Sequence, residues 1–116
     1  MQLGHAALEL GELSAARTAF EQSLAIQETP WGFTGLGEVS HRQGDLRTAG
    51  EFYAKALALN SEHTVATFYS GLLALEAGQL ERGRRLVERA RMLATKDGAA
   101  PHELIDEIER VLTEPR

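Results

Sequence analysis

The chain repeats itself with a period of 33 to 34 residues, and this repeat limits its possible folds more than any other feature. A first series of glycines recurs after 33 and then 34 residues, at Gly4, Gly37 and Gly71. Four further columns follow the same two steps, so chance does not explain the register. They are Gly11, Gly44 and Gly78; Leu13, Leu46 and Leu80; Ala16, Ala49 and Gly83; and Phe20, Tyr53 and Val87. The chain therefore contains three copies of one unit.

Each unit is predicted to form two helices, because apolar residues return every three to four positions on both sides of one glycine. The second glycine series falls where the first helix of each unit should stop, and glycine adopts the left-handed conformation there at little steric cost. Asp45 follows directly and suits the N-cap of the next helix. The first glycine series lies inside helices, where glycine costs about 1 kcal/mol relative to alanine, so we expect close helix packing there.

The second unit carries the most complete pattern. The matching residues of its two helices are Phe33, Leu36, Gly37, Ser40, Ala49 and Tyr53. In these residues the chain resembles the tetratricopeptide repeat, whose helix pair has an aromatic residue, then Leu-Gly, and later Ala-x-x-x-Phe. The resemblance implies an all-α fold, a right-handed superhelical stack of antiparallel helix pairs.

The repeat borders follow from this register. Three tetratricopeptide-like repeats are predicted at residues 1–30, 31–63 and 64–97. The first is truncated at its start, since a residue matching Phe33 would precede Met1. We therefore expect the chain to be a fragment of a larger protein.

A C-terminal capping helix is predicted over residues 101–113, because a stack of repeats needs a last helix with one polar face. Pro101 suits the first turn of a helix, and Glu103 suits its positive end. The apolar side chains of this segment form one stripe: Leu104, Ile105, Ile108, Val111 and Leu112.

Composition narrows the classes of function. A formal net charge of -5 disfavours a general nucleic-acid binder, which needs a basic surface. The absence of cysteine excludes disulfides, thiol catalysis and thiolate metal sites. No stretch approaches the roughly 20 apolar residues of a membrane span, and Met1 is not followed by a secretory signal, which favours a cytoplasmic location. The excess of arginine over lysine and the abundant alanine favour a bacterial origin.

No arrangement of residues resembles a catalytic site, so neither enzyme activity nor a cofactor is predicted. The four histidines are dispersed; His5 and His41 could offer two metal ligands, but no third is fixed, and no metal site is predicted. Six basic residues lie in the second helix of the third unit, where interspersed Glu81 and Glu88 favour a solvated or paired surface over a nucleic-acid site. They are Arg82, Arg84, Arg85, Arg89, Arg91 and Lys96.

The family resemblance implies that the first helices line a concave groove that binds a peptide or helix. The implied groove residues are His5, Thr34, Glu38, His41, Arg42, Val65, Phe68, Leu72 and Leu75. Phe68, Leu72 and Leu75 share one apolar helical face, which is either a groove for apolar anchors or a surface buried by the other helices. The polar groove residues of the second unit would set the register of the bound partner.

Two functions remain open on the sequence. The first is a protein-protein interaction module that binds a peptide or helix of a partner protein. The second is a self-assembling scaffold that oligomerises through its groove or its exposed repeat edges. One branch of the family grips the C-terminal carboxylate of heat-shock chaperones with lysine, asparagine and arginine, and no such clamp is predicted here. The comparable positions hold Met1, His5, Thr34, Glu38, Phe68 and Leu72.

Overall fold

The computed structural model describes residues 11–98 and 100–114, and within these residues the chain forms six α-helices and no strands. The all-α class predicted from the sequence is confirmed. The helices are α1 Leu13–Ile26, α2 Pro30–Arg42, α3 Leu46–Leu59, α4 Thr64–Glu76, α5 Leu80–Asp97 and α6 His102–Thr113. The expected truncated start of the first repeat, with His5, lies outside the described residues.

The chain divides into two compact units, with the boundary between Ser61 and Glu62. Unit one contains α1, α2 and α3, and unit two contains α4, α5 and α6. The division lies close to the predicted border between the second and third repeats. The repeat borders themselves stay predictions.

Unit one is built around α2, which packs against both α1 and α3. Its core contains Phe20 from α1 and Leu36 and Val39 from α2, all buried. A Cβ atom added at Gly35 would overlap the ring of Phe20, and one added at Gly37 would overlap the ring of Tyr53. The close packing expected at Gly37 is therefore confirmed, because a flat aromatic ring fills the space that a side chain would need.

Unit two reaches close packing in a different way. The α4 and α5 backbones approach each other at two glycines: a Cβ atom added at Gly71 would lie 2.7 Å from Val87 Cγ2 and 3.1 Å from the carbonyl oxygen of Gly83. One added at Gly83 would lie 2.9 Å from the backbone nitrogen of Leu75. Gly83 stands in the column where the other repeats have alanine, so the missing methyl group allows the backbones to approach.

Helix α6 packs against α5 and completes the core of unit two. Ile108 is fully buried, and the rest of the predicted apolar stripe lies partly buried against the same core. Hydrophobic burial of this stripe is the interaction that holds α6 in place.

The turns between the paired helices have the predicted glycine conformation. Gly44 and Gly78 have φ angles of 82° and 81°. After α2, the Asp45 N–H donates to Ser40 O at 2.9 Å and the Gly44 N–H donates to His41 O, which together form a Schellman turn. The same two bonds recur after α4. These turns satisfy the last carbonyls of each first helix and fix where the second helix begins.

Asp45 caps α3 as the sequence predicts. Its Oδ1 accepts a hydrogen bond from the Thr48 N–H at 3.2 Å. Hydrogen bonds from the Thr48 side chain and backbone lower the pKa of Asp45, so the carboxylate stays ionised where the helix dipole is positive.

The aromatic contact at Gly37 gives a stability prediction. We expect Gly37→Ala to lower the free energy of unfolding by about 1–3 kcal/mol, because the added methyl group overpacks the buried Tyr53 ring. Urea denaturation followed by circular dichroism measures the change. The control is Ala54→Gly at an exposed position of α3, which reports helix propensity alone, about 1 kcal/mol. If Gly37→Ala stabilised the protein by the amount that Ala54→Gly costs, the contact would be refuted.

Candidate partner-binding surfaces

The start of α2 is fixed by a side-chain cap. Thr29 Oγ1 accepts a hydrogen bond from the Gly32 N–H at 3.0 Å, and Pro30 is the first helical residue. Thr34 is buried, and its hydroxyl donates to Pro30 O at 2.7 Å. Trp31, in contrast to the buried Thr34, has 46% of its surface exposed. The first turn of α2 therefore presents a large aromatic surface to solvent.

The last turns of α2 carry three of the predicted groove residues. Glu38 and Arg42 form an ion pair one turn apart, with 3.9 Å between Oε2 and Nη2. His41 lies half-buried beside them in sequence. The Arg42 side chain is 45% exposed and the Glu38 side chain 16%, so Arg42 presents more of its charged surface to solvent than Glu38 does. This end of α2 can form polar contacts with a ligand.

The start of α4 is capped by a histidine. His63 Nδ1 accepts a hydrogen bond from the Ala66 N–H at 3.2 Å, and the Thr67 hydroxyl donates to His63 O at 2.9 Å. His63 is buried, and this burial lowers the pKa of its imidazole. The cap needs a neutral ring, since a protonated Nδ1 cannot accept a hydrogen bond.

Helix α4 divides the predicted apolar residues into core and edge. Phe68 is fully buried and Leu75 nearly so, and both belong to the core of unit two. Val65 and Leu72 are half-buried, and Leu72 packs at the margin of that core. Tyr69 is also half-buried, and its ring centroid lies 5.8 Å from that of Phe68. Val65, Tyr69 and Leu72 thus keep part of their apolar surface accessible to a ligand, and they lie at helical steps of four and three residues.

The predicted site residues therefore fall into three groups. Glu38, His41 and Arg42 lie together on α2, and Val65 and Leu72 lie on α4 with part of their surface exposed. The side chains of Thr34, Phe68 and Leu75 face the protein interior, and His5 lies outside the described residues.

Trp31 and Met92 are among the exposed apolar residues that the sequence analysis did not identify. Trp31 is the only tryptophan and lies two residues before Phe33, the repeated aromatic position. Because it does not belong to the repeated core positions, the sequence could have indicated that it is exposed. Met92 lies on α5 with 68% of its surface exposed. Large aromatic residues and methionine are enriched in protein interfaces.

The six basic residues of α5 lie at the surface, and three of them form an ion pair with a glutamate. Arg84 Nε lies 3.1 Å from Glu88 Oε1, Arg91 Nη1 lies 3.7 Å from Glu109 Oε1, and Lys96 Nζ lies 3.1 Å from Glu62 Oε2. The sequence interpretation of a paired, solvated surface agrees with these contacts.

Neither a metal site nor a membrane span is found in the part of the chain that the structure describes. Residues 11–98 and 100–114 contain no group of three histidine, aspartate or glutamate side chains that could hold a metal ion. No helix among the same residues has the length and apolar character needed to cross a bilayer.

Comparison with known proteins identifies the family. The sequence model of the tetratricopeptide repeat matches residues 1–30 and 33–63, more than half of the chain. The chain belongs to the tetratricopeptide repeat family, as its repeated residues indicate.

Three known proteins are similar to this chain in sequence or in fold. A probable biofilm formation methyltransferase of Pseudomonas aeruginosa, WspC, is 34% identical over 91 residues, which cover 78% of this chain but 22% of that protein. The Yersinia enterocolitica type III secretion translocator chaperone SycD has the same fold, with a TM-score of 0.77 and 20% identity over 96% of this chain and 83% of that one. PcrH in complex with the chaperone binding region of PopB gives a TM-score of 0.75 and 23% identity over 96% and 90%.

The histidine cap predicts a pH-dependent stability. Because burial lowers the His63 pKa, the unfolded chain binds the proton more readily, so stability is full above the ordinary value of 6.5 and falls as the pH drops through the folded pKa. We expect His63→Asn, which keeps a capping oxygen but does not titrate, to lose less stability between about pH 7.5 and 5.5. Urea titrations of both proteins at both pH values measure this difference. Identical losses would show that His63 is not the titrating group.

The division of α4 into core and edge predicts unequal effects of truncation. We expect Phe68→Ala to lower the free energy of unfolding by about 3–5 kcal/mol, since it leaves a cavity in the core of unit two. Val65→Ala should cost about 1 kcal/mol, because the removed methyl groups are half-exposed. Thermal or urea denaturation compares the two variants. Equal costs would contradict the assignment of Phe68 to the core.

Proposed function

We propose that this chain is a protein-binding module whose first helices capture a short helix or extended segment of a partner protein. The observation that carries the proposal is the exposed edge of α4, a first helix of a tetratricopeptide repeat. This edge is formed by Val65, Tyr69 and Leu72, which are half-buried and expose part of their apolar surface to solvent. Tyr69 and Leu72 also pack against the core of unit two. Such an edge provides apolar anchor points, while the buried face below it holds the helix rigid.

The α2 surface supplies a second kind of contact. Trp31 offers a rigid aromatic surface at one end of the helix, and Glu38 and Arg42 offer opposite charges at the other. Apolar contacts supply most of the binding free energy in such sites, and polar contacts at the margin fix the register of the ligand. We therefore expect a ligand of the α2 surface itself to carry both apolar and charged side chains.

The solved structures support this kind of ligand by analogy of fold. PcrH has the same fold and is described in complex with the chaperone binding region of another protein, PopB. A segment of a partner protein is accordingly the ligand class that we propose for this chain. We also propose a cytoplasmic location, which the sequence favours.

We propose a binding rather than a catalytic role for this segment. The match to the methyltransferase WspC covers only 22% of that protein. The repeats of this chain belong to the tetratricopeptide family. Such a segment would contribute contacts to a longer protein and leave any chemistry to other domains.

We do not propose a carboxylate clamp on the α2 and α4 surfaces. Glu38 stands at one of the comparable positions and would repel a terminal carboxylate, and Thr34 and Phe68 are buried. A carboxylate-terminated chaperone peptide that bound tightly would contradict this proposal.

The test is a selection of ligands followed by a single substitution. A phage-displayed library of short peptides is selected against the chain, and binding of the enriched peptides is measured by isothermal titration calorimetry. We expect Leu72→Glu to weaken binding at least about thirtyfold, the effect of losing a contact worth about 2 kcal/mol. The control is Leu59→Glu, which places the same charge at an exposed position of α3, a second helix.

Three outcomes would contradict the proposal. Leu72→Glu could leave affinity unchanged while its circular dichroism stays helical. It could instead unfold unit two, which would assign Leu72 to the core. Sedimentation could also show an assembly that grows with protein concentration and that the selected peptide does not dissociate, as expected of a self-assembling scaffold.

A further inference from the structure

The outer face of α5 combines positive charge with one exposed apolar side chain. Arg85, Arg89, Met92 and Lys96 follow one another at steps of four, three and four residues, so they share a face of the helix. All four are exposed, and Met92 has 68% of its surface in solvent. The opposite face, with Val87, is buried in the core of unit two. The protein-binding surfaces of α2 and α4 do not use this face.

A groove of about 410 Å³ opens beside Met92, between α5 and α6. Ala94, Ile105 and Ile108 supply apolar surface to it. Its charged lining consists of two cations, Arg91 and Lys96, and one carboxylate, Glu109. The groove lies wholly within unit two. Its volume admits an apolar side chain, and the flexible thioether of Met92 can adapt to the shape of that side chain.

The basic side chains around the groove favour a ligand that carries negative charge. Arg91 and Lys96 each contact a carboxylate of the same unit, on Glu109 and Glu62, but both pairs are about half-exposed or more. Such pairs are weak, so a ligand carboxylate can replace either acidic partner. Arg89, one turn before Met92, adds a third cation to the same side. A ligand with negative charge next to an apolar side chain therefore complements this surface.

We propose that the groove between α5 and α6 is a second docking site, which binds an acidic amphipathic segment of a partner protein. An apolar side chain of that segment enters the groove against Met92 and Ile105, and its flanking carboxylates contact Arg89, Arg91 and Lys96. A nucleic acid fits less well, because no aromatic residue lines the groove to stack on a base.

The methionine content of the chain gives a specific readout. The sequence contains two methionines, Met1 and Met92, so protein labelled with ¹³C at the methionine methyl groups gives two signals, and one reports the groove. The probe is a synthetic amphipathic peptide of about 15 residues, four helical turns, with leucine on one face and glutamate elsewhere. The matched control peptide has lysine in place of every glutamate.

We expect the acidic peptide to shift the Met92 methyl signal in a saturable way and the lysine peptide to leave it unchanged. Affinity, measured by fluorescence anisotropy, should fall about tenfold or more between about 0.05 and 0.5 M salt, because exposed charges are screened. Arg89→Glu and Met92→Gln should each weaken binding at least about tenfold. Leu80→Gln, at an exposed leucine of the same helix outside this groove, should not change it.

Several results would overturn the proposal. The Met92 signal could stay in place, or both peptides could bind equally well. An oligothymidylate of about 15 nucleotides could shift the signal when the acidic peptide does not, which would identify a nucleic-acid site. A shift with protein concentration alone would identify a second copy of the chain as the occupant. Circular dichroism of each variant excludes unfolding as the cause of lost binding.

This experiment is separate from the test of the α2 and α4 surfaces. Leu72→Glu should leave binding of the acidic peptide unchanged, since Leu72 lies on α4 and does not line the groove. If Leu72→Glu abolished binding of the acidic peptide while its circular dichroism stayed helical, the peptide would be assigned to the α4 surface and the second site would be refuted.

Discussion

The contact on which both units depend is the close approach of two helices at a glycine. In unit one, Gly35 and Gly37 leave room for the rings of Phe20 and Tyr53, so α2 packs tightly against the helix on each side. Unit two has Val87 in place of the aromatic residue, and its backbones approach where Gly71 meets Gly83. The two units thus reach dense packing in different ways. In unit one an aromatic ring packs against a glycine, and in unit two a glycine of one helix packs against a glycine of the other.

The ends of the helices then fix which side chains face solvent. Schellman turns end α2 and α4 at the same position of the repeat, and side-chain caps begin α2, α3 and α4. The capping residues are Thr29, Asp45 and His63, three different groups that accept the same kind of hydrogen bond. Only the histidine cap titrates near neutral pH, so acidification acts on the start of α4 before it acts on the other two caps. The half-exposed edge formed by Val65, Tyr69 and Leu72 begins directly after this cap.

The distribution of burial explains why two separate surfaces remain for ligands. Helix α4 is apolar around most of its circumference, and its core-facing side is already covered by α5 and α6. Only its edge is left for a partner. Helix α5 is the opposite case: it is strongly amphipathic, and its exposed side carries cations whose acidic partners lie on α6, on α5 itself and just before α4. Apolar surface on that side is confined to Met92 and the groove beside it.

The sequence by itself determined the repeat, the helix pairs, the left-handed glycines of the turns, the cap at Asp45 and the family. These features depend on residues close together in the chain or on a regular period. Only the tertiary structure decided which of Phe68, Leu72 and Leu75 is core, that Thr34 is buried, and that Trp31 and Met92 are exposed. Helical periodicity places residues on a common face, but burial depends on which neighbouring helix covers that face. The covering helices precede or follow in the chain, but which side chains they cover depends on how the helices pack, as at Gly37 and Gly71.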